Sequence, residues 1–402
     1  MMRTKILGLL AMYLSLSLVL TGCWNSRELN QLSIVSGIGL DMVPGKEEYK
    51  VTFQVVNPSA TSTSSGAGSG LPAITVITAT DPTIFGALRK ASRRATRQLF
   101  FAHTQLLVVG EPLVRKGING LFDIFERSHE LRLTTEVLIA RDTDAASILK
   151  ILTPVESLPS QGMVKKTQNT ARVWGENRST TVFDLIQAIT GEGDLTINGL
   201  RIIGDPSEGM KKSNLEQSEL QAATIMSGLG VLKKGKLIGW LEGPAARGTQ
   251  WILNKIEETN ININGPDKKN DIAVNVFFSK TTSRVELRDG VPVFHIHIRE
   301  EGIIYETGGF VDLSRKAEIE ELEEKLEEQT RAEVKLALQA AQEKKADIFN
   351  FGDELKRTRP KEWAAVEGSW DKLFARGELD LQVEAYIRST GMRLKPYIPA
   401  GE

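Results

Sequence analysis

A single cysteine, Cys23, stands in the 402 residues. No disulfide can therefore form within the chain, whatever the redox state of its compartment. Charge gives no direction either: 50 basic residues face 51 acidic ones, leaving no overall field that would draw the chain to nucleic acid. After residue 22 there is no second apolar run of the roughly 20 residues that a membrane helix needs. Phosphate-binding loops are missing too, since Gly110-Glu111 is only a turn between a strand and a helix. Around His103 and His129 no nucleophile pattern is found, and the carboxylates of Glu318–Glu328 form a helical surface array rather than an acid/base pair. What remains is a chain stabilised by packed cores. With 41% apolar and 25% charged residues its composition is that of an ordinary globular protein, long enough for two or three domains.

The stretch that organises the rest is Leu20-Thr21-Gly22-Cys23. Arg3 and Lys5 make a short positive start, and Ile6 to Leu20 is apolar except for Gly8, Ser15 and Ser17. A charged start, a short apolar core and small residues before a cut describe a secretory signal. Its last four residues resemble the lipobox of bacterial lipoproteins. That resemblance implies a diacylglycerol on the Cys23 sulfur and cleavage between Gly22 and Cys23. An ordinary signal peptide with a chance cysteine is the alternative.

Downstream, Leu32–Asp41 reads as a strand, and Tyr49, Val51, Phe53 and Val55 alternate with polar neighbours as a second. Residues 58–72 are rich in Ser, Thr and Gly and read as a flexible loop, followed by a third strand at Ala73–Thr80. Asp81-Pro82 suits a helix start, with Ile84, Leu88, Ala91, Ala95 and Leu99 on its inner side. Arg89, Arg93 and Arg97 fall on the other side, either as a solvated face or as a contact for anionic lipid or an acidic partner. Strand and helix then alternate to Leu152, with one helix over Pro112–Arg127; a loop at Thr153–Gly162 and a helix at Thr181–Ile189 follow. Strands are expected around 196–203 and 219–227, a hairpin at Lys233–Lys236, and a helix with Trp251 and Ile252 inward. Further strands are read at Ile272–Ser279, Thr281–Arg288 and Val291–Glu300, with Asp289-Gly290 as a hairpin turn. A long helix spans Ser314–Asn350, its stripe from Ile319 to Ala341 packing on a sheet or forming a coiled-coil seam. Trp363, Val366, Trp370 and Phe374 mark a helix, and Leu379 to Ile387 alternate as a last strand.

CWNSRELNQLSIVSGIGLD, FFAHTQLLVVGE, RSHELRLTTEVLIARD, VLKKGKLIGWLEGPAARGTQWI and the closing LDLQVEAYIRSTG resemble, in order and spacing, the Ger(x)C family. Its members are lipoprotein C-subunits of nutrient germinant receptors in bacterial spores. The likeness runs to near residue 391 and departs at Pro244-Ala245-Ala246, where the family carries acidic residues before an Arg-Gly turn. The resemblance implies an α+β fold in three domains of mixed sheets with packed helices, after a signal peptide at 1–22. The expected divisions are an N-terminal α/β-type domain at 23–195, a middle domain at 196–262, and a strand meander with the long helix at 263–402. It also implies integral-membrane A- and B-type partner subunits and a place on the outer face of the spore inner membrane. Nutrients such as amino acids or sugars would be sensed by the assembly, with no cofactor beyond the lipid on Cys23 and no catalysis. The alternative is a solute-binding lipoprotein of a transporter. His295 and His297, two apart on a strand, could suggest a metal, but no third ligand stands near in sequence and a solvated face accounts for them better.

Overall fold

The computed structural model describes residues 6, 8, 28–61, 72–128, 130–191, 193–265, 271–308, 311–389 and 391. Two mixed sheets with packed helices make up the α+β fold. Strands β1 (Leu32–Met42), β2 (Tyr49–Val56), β3 (Ile74–Asp81), β4 (Gln98–Phe100), β5 (Leu106–Gly110), β6 (Glu136–Ala140), β7 (Leu195–Gly204), β8 (Ala222–Lys233) and β9 (Lys236–Leu241) form the larger. Its order is β3-β2-β1-β5-β6-β7-β8-β9, with β4 pairing β1 off that path. The centre, β1-β5-β6-β7, is parallel and the flanks are antiparallel. Parallel strands are covered on both faces, and β5 accordingly reads Leu-Leu-Val-Val-Gly with every residue buried.

Leu107 and Val109 face one core, which takes in α1 (Ile84–Ala91), α2 (Glu111–Lys116) and α3 (Asp123–Arg127). Leu106 and Val108 face a second core, shared with α4 (Ala145–Ile148) and with Met163 of α5 (Pro159–Val173). The helix expected over 112–127 is two short ones, because Gly117 adopts φ 127° and the chain turns there. The loop read at 153–162 ends at Pro159, which occupies the first turn of α5. Helix α6 (Val182–Thr190) starts on a capping box between Thr181 and Asp184. Of the loop at 58–72, residues 58–61 form one helical turn, and residues 62–71 lie outside the described residues.

The smaller sheet runs β10-β11-β12-β13: Thr259–Ile263, Ile272–Arg288, Val291–Thr307 and Glu378–Ser389. The two strands expected at 272–288 are one continuous strand, β11, paired with β12 around the Asp289-Gly290 turn. That turn needs two positive φ angles, and the residues adopt 52° and 81°. β12 and β13 are parallel, so the chain between them must cross over. It does so through α8 (Lys316–Glu343), α9 (Phe351–Thr358), α10 (Pro360–Val366) and α11 (Trp370–Phe374), preceded in the chain by α7 (Gly243–Ile252).

The α8 stripe, with Leu322, Leu326, Val334, Ala337 and Ala341 buried, packs into the third core rather than into a coiled coil. Glu327 and Glu323 of α8 accept the edge amides of Ala385 and Ile387 at 3.2 and 2.8 Å. The helix thus covers hydrogen-bonding groups that an open edge strand would expose. The expected join near 195 falls at the first residue of β7, inside the large sheet. Residues 195–241 therefore complete the sheet begun at residue 32 instead of forming one of their own. The second join, near 263, falls at the end of β10, which pairs with β11.

Candidate functional site

Gly22 and Cys23 lie outside the described residues, so the site is built from the point where the described chain begins. Glu28 and Asn30 are exposed and joined by a 3.1 Å hydrogen bond, and β1 starts at Leu32. The first three residues of β1 pair in parallel with β4, Leu32 opposite Gln98. The arginine-bearing segment leads directly into β4.

Arg89, Arg93 and Arg97 do not share one helix face. Helix α1 is capped by Thr83, whose hydroxyl accepts the Gly86 amide at 3.0 Å. Asp81 ends β3 and accepts the Thr83 amide instead of capping the helix itself. At the other end the amides of Ser92, Arg93 and Arg94 bond the carbonyls three residues back, at 3.2, 3.1 and 2.9 Å. This tightened turn stops the helix after Ala91, and the chain swings out so that Leu99 can enter β4. The apolar stripe through Ile84, Leu88 and Ala91 holds as read, while Leu99 belongs to the sheet.

Arg89 therefore lies in the last turn of α1, its guanidinium 4.8 Å from the centre of the Phe85 ring. Arg93 and Arg97 stand beyond the helix, both exposed. Lys90 pairs with Asp81 at 2.7 Å and Arg94 donates to the Thr78 carbonyl at 3.1 Å, which ties the segment along β3. Among the described residues no carboxylate pairs with Arg89, Arg93 or Arg97.

Behind Arg89 is a cleft of about 410 Å³ between α1, β4 and α3. Phe85, Leu88, Leu99, Phe101, Ile124 and Leu131 line it, and Arg89 and Arg127 stand among its charged residues. Phe85 is 53% exposed, so the cleft opens to solvent through an aromatic lip. Its lining comes from three separate stretches, which is why no local pattern announced it.

A second constellation lies between α7 and α8. Arg247 faces Glu333, Nε to Oε2 at 2.8 Å and Nη2 to Oε1, and Glu333 is 0% exposed. The Trp251 indole N–H adds a 3.1 Å bond to Glu333 Oε2, and Arg247 Nη1 donates to the Asn260 carbonyl at 3.1 Å. The Arg-Gly pair read as a turn is inside α7. A Cβ on Gly248 would stand 2.0 Å from the Glu333 carbonyl oxygen, so the bare backbone is what lets α7 and α8 cross this closely. Nearby, Glu300 is buried and takes a 2.8 Å bond from the Thr330 hydroxyl. Burial first, then Glu333 and Glu327, push its carboxyl up to about 8.

At the seam between the sheets Asp194 accepts the Lys234 amide at 3.1 Å and donates its own amide to the Asp347 carbonyl at 3.2 Å. Burial pushes its carboxyl up to about 6. The Asp347 side chain, also raised by burial, accepts the Gly352 amide and the Trp370 indole at 2.7 and 2.9 Å.

The two strand histidines are paired across the sheet rather than merely solvated. His295 reaches Asp380 at 2.6 Å and Glu286 at 3.2 Å, and His297 reaches Glu384 at 3.1 Å. His103 stands in the polar hollow with Glu136 and Ser179, and His129 lies outside the described residues. Among the described residues no three of His, Cys, Asp or Glu are placed to hold a metal ion. The raised carboxylates Asp194, Asp347 and Glu300 do not line the open cleft; they are spent on backbone amides, the Trp370 indole and the Thr330 hydroxyl.

Similarity to known proteins extends over nearly the whole chain. Residues 25–202 match the family described as spore germination protein N-terminal domain, and residues 227–391 match spore germination B3/GerAC-like, C-terminal. Spore germination protein KC of Bacillus subtilis (strain 168) is 32% identical over 395 residues, covering 96% of this chain and 97% of that one. Spore germination protein B3 of the same organism is 25% identical over 395 residues, covering 93% and 95%. The crystal structure of the GerBC protein aligns with a TM-score of 0.56 at 19% identity, over 87% of this chain and 97% of that one, and so shares the fold.

Proposed function

The chain belongs to the GerAC family of spore germination proteins, and from that premise we propose that it is the lipid-anchored C-type subunit of a nutrient germinant receptor. The observation that carries this reading is end-to-end similarity: both halves match germination families in order, and coverage exceeds nine-tenths of both this chain and the KC protein. The subunit is non-catalytic in this reading. It acts by assembling with integral-membrane A- and B-type subunits on the outer face of the spore inner membrane. The assembly, rather than this chain alone, answers nutrients such as amino acids or sugars.

Attachment is assigned to a diacylglycerol on Cys23 after cleavage behind Gly22. No helix among the described residues is long and apolar enough to cross a membrane. Acyl chains contribute about 0.8 kcal/mol per buried CH₂, and two chains hold a domain where one gives only reversible attachment. The test is Cys23→Ala in spores, with membrane fractionation and germination assayed in parallel, and an affinity pull-down of the wild-type protein from spore membranes. The expected results are a protein lost from the membrane fraction, a weakened response to the receptor's nutrient, and two integral-membrane subunits in the pull-down. A Cys23→Ala protein that stays wholly in the membrane with a full response would sink the anchor. Tight binding of an amino acid or sugar to this chain alone, by calorimetry, with no co-purifying subunits, would turn the assignment toward a transporter's solute-binding lipoprotein.

A further inference from the structure

We propose that the segment from Arg89 to Arg97 is a membrane-contact surface that seats anionic phospholipid headgroups when the chain is anchored; this rests on the reading that Cys23 carries the lipid. Three independent observations converge on it. The first is position. Leu32 is nine residues beyond Cys23, and nine residues span at most about 30 Å fully extended. The start of β1 can thus stand no further than about 30 Å from an anchored Cys23. Because β1 and β4 are parallel, with Leu32 opposite Gln98, the residues before Gln98 emerge at the same end of the sheet as the tether. Neighbouring strands lie about 4.8 Å apart, so Arg97 stands beside the point where the tether leaves.

The second observation is direction. β2 and β3 are antiparallel, as are β1 and β2, with Asp81 opposite Tyr49 and Ile74 opposite Val56. Asp81 therefore lies at the end away from the tether, and α1 runs back from there. The contacts record that return: Lys90 reaches the Thr80 carbonyl, and Arg94 the Thr78 carbonyl further along. Arg97, which precedes Gln98, stands at the tether end, while Arg94 reaches Thr78, opposite Thr52 and through it Gly39, so Arg93 and Arg89 follow behind it along the sheet.

The third is charge. From Pro82 to Ala102 there are five Lys and Arg residues and no Asp or Glu. Lys90 is neutralised by Asp81. Arg89, Arg93 and Arg97 have no carboxylate partner among the described residues, and all three are exposed. Arginines left unpaired beside a lipid tether are complementary to phosphate headgroups, which a guanidinium grips with two parallel hydrogen bonds.

The test uses the chain from residue 23 onward, which contains every strand of both sheets, made with Cys23→Ser so that no acyl chain contributes. Its sedimentation with phosphatidylcholine vesicles is compared with that on vesicles one-third phosphatidylglycerol, at low and at physiological salt. Binding is expected on the anionic vesicles alone, weakening with salt. Arg89→Gln/Arg93→Gln/Arg97→Gln is expected to lower partitioning roughly a hundredfold, on the order of fivefold per arginine. Lys212→Gln/Lys316→Gln/Lys361→Gln, which removes three exposed charges elsewhere, is expected to change it little. Circular dichroism checks the fold of the triple arginine variant, with Arg97→Gln alone as the fallback. Equal binding to neutral and anionic vesicles, or equal losses in the two triple variants, would overturn the proposal. So would an arginine face that ignores vesicles and captures an acidic protein instead. Since this chain carries no lipid, failure here leaves the Cys23 anchor standing, and loss of the anchor in spores leaves the vesicle result standing.

Discussion

Glu300 offers the sharpest test of the packing between the long helix and the small sheet. The perturbation is Glu300→Gln, which keeps the shape and removes the titration. The side chain is 0% exposed, its Oε1 lies 2.8 Å from the Thr330 hydroxyl, and its Oε2 has no partner among the described residues. Its carboxyl is raised from 4.5 to about 8, by burial and by the nearby Glu333 and Glu327, with Arg247 opposing. The sign follows from where the proton sits. Below pH 4.5 the group is protonated in both states, and the fold keeps its full stability. Between 4.5 and 8 the unfolded chain releases the proton while the folded chain holds it, so stability falls as pH rises, and above 8 the loss levels off. One pH unit inside that window is worth about 1.4 kcal/mol, so from pH 5 to pH 8 this one group costs about 4 kcal/mol. Glutamine has no such dependence. Urea unfolding followed by tryptophan emission, at pH 5, 6, 7 and 8, should show Glu300→Gln gaining on the unsubstituted protein by about that amount across the series. A difference that stays constant with pH would refute the reasoning, because it would mean Glu300 is ionised in the folded core.

Glu333→Ala leaves the Arg247 guanidinium buried without its counter-charge and the Trp251 indole without an acceptor, and should cost about 3–5 kcal/mol in the same assay. Arg247→Met combined with Glu333→Leu should cost far less; equal losses in the single and double variants would mean that the pair does not act as a unit. Deleting residues 62–69 should change stability by less than about 1 kcal/mol, since closure entropy varies by only about 0.6 kcal/mol per doubling of length. The ends of that loop are already clasped, Asn57 to Ala73 at 2.8 Å and to Pro72 at 3.3 Å, so a melting temperature lowered by many degrees would contradict it.

The strands with clean alternation and the tight turns were legible in the sequence because their determinants are local. Asp289-Gly290 and Lys234-Gly235 both adopt the positive φ pairs that two-residue hairpins require, 52° with 81° and 49° with 75°. Helix α5 was not legible for an equally local reason. Only Pro159, Ser160, Met163 and Thr167 of its 15 residues are buried, so almost no apolar period is printed on it. Pairings across long separations left no trace either. β12 finds its parallel partner β13 only after the whole α8–α11 crossover, and the cleft beside Arg89 draws on three stretches. Glu300 shows a signal that stopped short. Phe294, Ile296 and Ile298 alternate as one buried face of β12, and the same alternation continued by two residues puts a carboxylate among them. That is the pattern of a buried, titration-shifted acid.

The basic segment before β4 makes the converse case. By composition alone, Arg89 to Arg97 is a solvated surface, and most such runs are no more than that. Continuing the helix through Leu99 would have fixed the three arginines on one face with no reason to prefer any direction. The structure ends that helix at Ala91 and uses Leu99 as a strand residue opposite Ser33. The same change that removes the shared helix face supplies the missing direction, since it brings Arg97 to the end of the sheet where β1 begins, with Arg93 and Arg89 behind it. Their meaning therefore depends on a pairing between residues 32–34 and 98–100, which no local window contains. It is the short strand β4, only three residues long, that sets the basic segment beside the start of β1.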